Sequence, residues 1–138
     1  MESMHMLHHL SFGVIDLARS AAFYDAALSP LGYVRVWTHE PSAGYREAAV
    51  GYGLPGAEEE FAIRLRPQGG HVPGDAFHLA FRARSREAVV AFYRAAIEQG
   101  GRDNGGVGLH PEHGPDYFAA FVFDPDGHRI EAVVDAQA

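Results

Sequence analysis

The chain has 138 residues, enough for one domain with a sizeable core, and 47% of them are hydrophobic, which is a globular rather than a disordered composition. Its 11 basic residues are all arginine and stand against 18 acidic ones, for a net charge of −7; without a basic stripe, nucleic acid is not expected as a partner. Cysteine is absent, which removes disulfides, thiolate metal sites and a cysteine nucleophile, and no apolar run approaches the ~20 residues needed to cross a bilayer. The first residues lack a basic stretch followed by an apolar one, so a cytoplasmic protein is expected.

Residues 6–14 read as a strand with Leu10, Phe12 and Val14 on one face. Asp16 then caps a helix over Leu17 to Leu28, ended by Ser29-Pro30-Leu31-Gly32. Strands are expected over 33–37, 45–50 and 61–65, with residues 51–60 as a turn. The glycine- and proline-rich stretch 67–75 divides the chain into a first module, about 6–66, and a second, about 76–138. In the second, 76–82 reads as a strand and Ser85 caps a helix to about Gln99. A glycine-rich stretch through Gly108 follows, then a loop with His110 and His113. Residues 117–123 and 129–134 read as strands joined by the tight turn Asp124-Pro125-Asp126-Gly127. The order strand-helix-strand-strand-strand thus occurs twice. The expected fold is a single α+β domain of two βαβββ modules, with curved mixed sheets around a central cleft.

The halves also repeat in sequence. His9-Leu10-Ser11-Phe12 returns as His78-Leu79-Ala80-Phe81 and Ala22-Phe23-Tyr24 as Ala91-Phe92-Tyr93, always at an offset of 69. Strand alternation sets Phe77, Leu79 and Phe81 against His78, Ala80 and Arg82, and Ile130, Ala132 and Val134 against Arg129, Glu131 and Val133. The apolar faces should meet the helices, which leaves His9, His78 and Glu131 on the other side. Positions 9 and 62 are related as 78 and 131 are, so a pseudo-twofold axis would aim all four at one point. They hold His, Ala, His and Glu. Two imidazoles and a carboxylate suit one divalent transition metal (Fe, Mn, Zn or Ni) and leave coordination positions free for a substrate. His8 competes for the first place, but parity and the repeat favour His9.

These residues carry a resemblance. Leu7-His8-His9-Leu10, Ala22-Phe23-Tyr24, Phe77-His78-Leu79-Ala80-Phe81 and above all Asp124-Pro125-Asp126-Gly127-His128-Arg129-Ile130-Glu131 resemble the vicinal oxygen chelate superfamily, that of glyoxalase I, bleomycin-resistance proteins, fosfomycin-resistance transferases and extradiol dioxygenases. The resemblance implies metal ligands at His9, His78 and Glu131. It also implies pairing of modules across a homodimer, so that His9 can come from the partner subunit. Ala62 stands where glyoxalase I has a fourth ligand. The implied function is a metal-dependent lyase, isomerase or dioxygenase acting on a small substrate with vicinal oxygens. The alternative is a non-catalytic protein that sequesters an antibiotic of the bleomycin type.

Further assignments follow from face and residue type. Glu131 is a candidate base and Tyr117 a candidate catalytic or orienting group. Arg64 and Arg82 have the parity to hold a substrate acid, and Trp37 and Tyr45 are placed as pocket walls. Gly51-Tyr52-Gly53-Leu54-Pro55-Gly56 matches a dinucleotide fingerprint, but no helix opens there to receive a phosphate.

Overall fold

In the computed structural model, which describes residues 6–41, 47–69 and 72–135, the expected element order runs twice. The first half comprises β1 (Leu10–Val14), α1 (Leu17–Leu28), β2 (Val34–His39), β3 (Ala49–Gly53) and β4 (Phe61–Leu65). The second comprises β5 (Leu79–Arg82), α2 (Arg86–Glu98), β6 (Arg102–Leu109), β7 (Phe118–Phe123) and β8 (Arg129–Val134). Both helices start where a short polar side chain satisfies a free backbone N–H. Asp16 accepts from Arg19 N, and Ser85 from Ala88 N. The helix α1 tightens through Ser29–Leu31 and stops at Gly32, whose φ of 88° suits a residue without Cβ.

Each half builds one mixed four-stranded sheet, ordered β1-β4-β3-β2 and β5-β8-β7-β6. The pairs β1–β4 and β5–β8 are parallel and the other neighbours antiparallel. The repeat seen in sequence is therefore a repeat in topology. Several strand limits differ from expectation. The first strand starts at Leu10 and the fifth at Leu79, so His78 stands one residue ahead of β5. The third continues through Gly51 and Gly53, which sequence reading had given to a turn. Those glycines are contact points: a Cβ on Gly53 would stand 2.3 Å from the Glu58 carbonyl oxygen. The glycine-rich stretch forms the long strand β6, with a bulge between Asp103 and Gly106.

The helix-bearing faces of both sheets look inward on one core. The helices pack against each other. Phe61 of the first sheet meets Phe81 of the second edge-to-face at 5.3 Å, and Phe12 lies 6.3 Å from Phe77. Phe23 and Phe92, repeat partners, are both fully buried in this core. Two sheets that share a core through their helix sides must turn their helix-free sides away from each other.

The turn Asp124–Gly127 fastens the halves together. Asp124 Oδ1 accepts from the backbone N–H of Asp126 and of His128, each at 2.9 Å, and Oδ2 accepts from Tyr24 of α1 at 2.6 Å. Asp126 accepts from Ile15 N at 3.1 Å and from the buried Ser20 hydroxyl at 3.1 Å. His128 Nε2 lies 2.9 Å from the Gly13 carbonyl, with its ring stacked on Phe12.

Burial pushes the Asp124 carboxyl above its usual range, although the Tyr24 hydrogen bond and His128 oppose this. A raised folded-state pKa means that the group's contribution to stability is complete below the unfolded value and lost as pH rises through the folded one. The ionised form is thus the one that burial disfavours. We expect Asp124→Asn to change stability by no more than about 1 kcal/mol at pH 7, because an amide keeps the acceptor. Asp124→Ala strands two backbone donors and a tyrosine hydroxyl and should cost about 3 kcal/mol or more. Urea unfolding measures both. On acidification the wild type should gain on Asp124→Asn.

Candidate functional site

On the helix-free face of the second sheet, Glu131 stands in β8 opposite Ala80 of β5 and Phe121 of β7. Its neighbours Ile130 and Ala132 point into the core, so alternation alone puts the carboxylate on this face. Glu131 is only 1% exposed, and both oxygens are engaged. Tyr117 donates its hydroxyl to Oε2 at 2.7 Å, and His78 Nε2 lies 2.7 Å from Oε1. His78 itself is 52% exposed at the side chain, so the pair is open from the imidazole side. Burial, helped by the Glu131 carboxylate, pushes the Tyr117 phenol up to about 12. Tyr117 therefore holds its proton throughout the neutral range and orients the carboxylate as a donor. An imidazole and a buried carboxylate, already adjacent, are the donor types that a borderline divalent metal prefers.

A cavity of about 240 Å³ adjoins this pair, lined by Asp75, His78, Asn104, Phe121, Arg129 and Ile130. Phe121 of β7 pairs with Glu131, and Tyr117, one residue ahead of β7, reaches the same carboxylate. His110 packs edge-on against Phe121 and lies 3.5 Å from Glu112, while His113 leans on Tyr117. Arg82 shares the face, with its guanidinium 3.9 Å from Asp135 and largely in solvent.

Arg64 and Trp37 lie on the helix-free face of the first sheet, and His9 stands one residue ahead of β1. Ser11, Ala62, Gly51 and Trp37 form one rung across its four strands. Ala62 is fully buried and offers no donor atom. Arg64 donates to the Ser11 hydroxyl through Nε at 3.2 Å and to Glu47 through Nη1 at 3.2 Å. Arg66 donates to the other oxygen of the same carboxylate. Burial pulls the Glu47 carboxyl upward, but Arg66 and Arg64 outweigh it and hold the group below its usual range. His9 lies exposed beside His8, with the two Nδ1 atoms 2.9 Å apart, and His8 reaches Glu58. Tyr45 falls outside the described residues.

Trp37 is held against its own sheet. Its ring lies flat on Gly51, His39 stacks on it at 4.0 Å, and its indole N–H donates to Glu59 at 3.0 Å. A Cβ at position 51 would stand 2.3 Å from the ring. Gly51→Ala should therefore lift the indole off the sheet, at a cost of about 1–3 kcal/mol. Trp37 is the sole tryptophan, so a red-shifted emission spectrum would report the displacement directly. Tyr52 of the same strand points the other way, into the core, where it donates to Asp25.

His78, Glu131 and Tyr117 are thus brought together, and His9, Arg64 and Trp37 belong to the first module. Among the described residues, no three His, Asp or Glu side chains of one chain converge on a point that would hold an ion. Sequence reading did not foresee the cross-module hydrogen bonds of Asp124, Asp126 and His128. Their clustering in one turn was the available signal.

A family model described as the glyoxalase/bleomycin resistance protein/dioxygenase superfamily matches residues 6–132. The chain belongs to that superfamily. A glyoxalase/bleomycin resistance protein from Albidiferax ferrireducens has a similar structure, with a TM-score of 0.77 and 30% identity over 94% of this chain and 98% of that one. A fosfomycin resistance protein from Listeria monocytogenes shares the fold at a TM-score of 0.63 and 15% identity, covering 95% of this chain and 93% of that one. A glyoxalase I mutant from Zea mays shares it at a TM-score of 0.70 and 23% identity, over 92% of this chain but 45% of the maize one. No curated protein sequence matches the chain. As in other members of the glyoxalase/bleomycin resistance protein/dioxygenase superfamily, the α+β architecture here is two four-stranded mixed sheets with a helix each. No described helix is long and apolar enough to cross a membrane.

Proposed function

We propose that the chain is a divalent-metal-dependent enzyme of the glyoxalase/dioxygenase type, a lyase, isomerase or dioxygenase for a small substrate with vicinal oxygens. Its ligands would be His78 and Glu131 of one chain and His9 of a second copy in a homodimer. The observation that carries this reading is the buried Glu131 carboxylate, 2.7 Å from a solvent-accessible imidazole and beside a cavity. Members of the superfamily typically use a divalent metal and act on small molecules. A bound metal would act as a Lewis acid, drawing charge from the two substrate oxygens.

The chain's own residues do the rest. Tyr117 keeps Glu131 oriented and supplies a proton donor beside it. Phe121 forms an apolar wall of the cleft, which limits water at the reacting atoms. Glu131 is the nearest candidate base. The helix-free faces point outward in one chain, so a second copy is needed to bring His9, Arg64 and Trp37 opposite His78 and Arg82. The deciding experiment is elemental analysis of protein purified without an affinity tag. Near one transition metal per chain, lost in His78→Ala, supports the enzyme.

The competing reading is a sequestering protein that binds an antibiotic without metal. It draws on the fact that both Glu131 oxygens already have close partners within the chain, the Tyr117 hydroxyl and the His78 imidazole. It requires metal-free protein with tight drug binding, unaffected by His78→Ala.

A further inference from the structure

Phe123 of β7 lies between two arginines on the helix-free face of the second sheet. Register pairs Arg102 with Phe123 and Phe123 with Arg129. The guanidinium carbons stand 4.8 Å and 5.4 Å from the ring centroid, within the roughly 6 Å reach of a cation–π contact. Among the described residues, the arginines paired with a carboxylate are Arg19, Arg35, Arg64, Arg66 and Arg82. Arg84, Arg86, Arg94, Arg102 and Arg129 are not among them. Arg129 also lines the cavity of about 240 Å³ that contains His78.

We propose that Arg129, backed by Arg102, is the recognition site for an oxyanion of the substrate, a carboxylate or a phosphonate. The proposal rests on the preceding reading for one point, that the reacting end of the same molecule lies at His78 and Glu131. A guanidinium presents a planar fork that fits two oxygens of such a group. The ring beneath it fixes the plane of the fork before the ligand arrives, which lowers the ordering cost of binding. Asp75 shares the cavity wall and disfavours a second acid group, while accepting a hydroxyl. The ligand class is therefore an acid that also carries a hydroxyl.

Calorimetric titration at low ionic strength tests the proposal, with glycolate, methylphosphonate and the neutral glycolamide as probes. Glycolate or methylphosphonate should bind at least about tenfold more tightly than glycolamide, and the tighter of the two identifies carboxylate or phosphonate as the group read. Arg129→Gln should remove that preference, and Arg129→Lys should keep part of it. Acids that bind no better than glycolamide, or an unchanged preference in Arg129→Gln, would overturn the proposal. A thermal melt accompanies each variant. If Arg129→Gln does not fold, Arg102→Gln replaces it: a weakened preference in the folded variant supports the proposal and an unchanged one overturns it. Metal content of the same samples separates the two readings. Acid preference in metal-free protein leaves this proposal standing and removes the enzyme proposed above; full metal without acid preference does the reverse.

Discussion

Glu131→Ala protein should emerge from purification with about a tenth or less of the wild-type transition metal. The carboxylate is the one buried charge of the candidate centre, and no neighbour can replace it: Ala80 and Phe121 flank it across the sheet. The same substitution leaves the Tyr117 hydroxyl without its acceptor, so stability should fall by about 1–3 kcal/mol. Glu131→Gln separates the two effects. The amide still accepts from Tyr117, so its stability should stay near that of the wild type, while the loss of charge should still deplete the metal. Elemental analysis and urea unfolding of the three proteins give both readings. Wild-type protein without metal, or Glu131→Ala protein with a full complement, would defeat the metal centre.

The second large effect concerns where His9 acts. His9→Ala and Glu131→Ala proteins should each be nearly metal-free. Unfolded together and refolded, they should recover about one ion per mixed pair, because one of the two clefts then draws His9 and Glu131 from different, intact sources. A centre confined to one chain allows no such recovery, since each chain would carry its own lesion. The expectation follows from the fold: Phe61 against Phe81 turns the helix sides of the sheets inward and their other sides apart. Recovery absent from a demonstrably mixed population would place the ligand set elsewhere.

Much of this was legible in the sequence because the chain writes its pattern twice. The offset between His9 and His78 located the repeated unit, and alternation in β8 set Glu131 apart from Ile130 and Ala132. Helix limits followed from Asp16 and Ser85, whose side chains cap as their chemistry dictates. The failures have a common cause. Gly51 and Gly53 were read as turn residues, but they are small because Trp37 and the Glu58 carbonyl press on them, and close packing between distant residues leaves no local signature. Arg129 was assigned to a face but not to a partner, since only the register of β6 with β7 reveals Arg102 across Phe123. Pairing between strands far apart in sequence decides such contacts.

The shared core has one more implication. Each half completes the burial of the other: Phe12 lies under His128, Tyr24 bonds Asp124, and Phe61 abuts Phe81. A polypeptide of half this length would leave those aromatic rings wet and would have to find a mate before it could fold. Tandem fusion supplies that mate at a permanently high effective concentration, and it frees the opposite surfaces of the sheets to diverge in chemistry without endangering the fold.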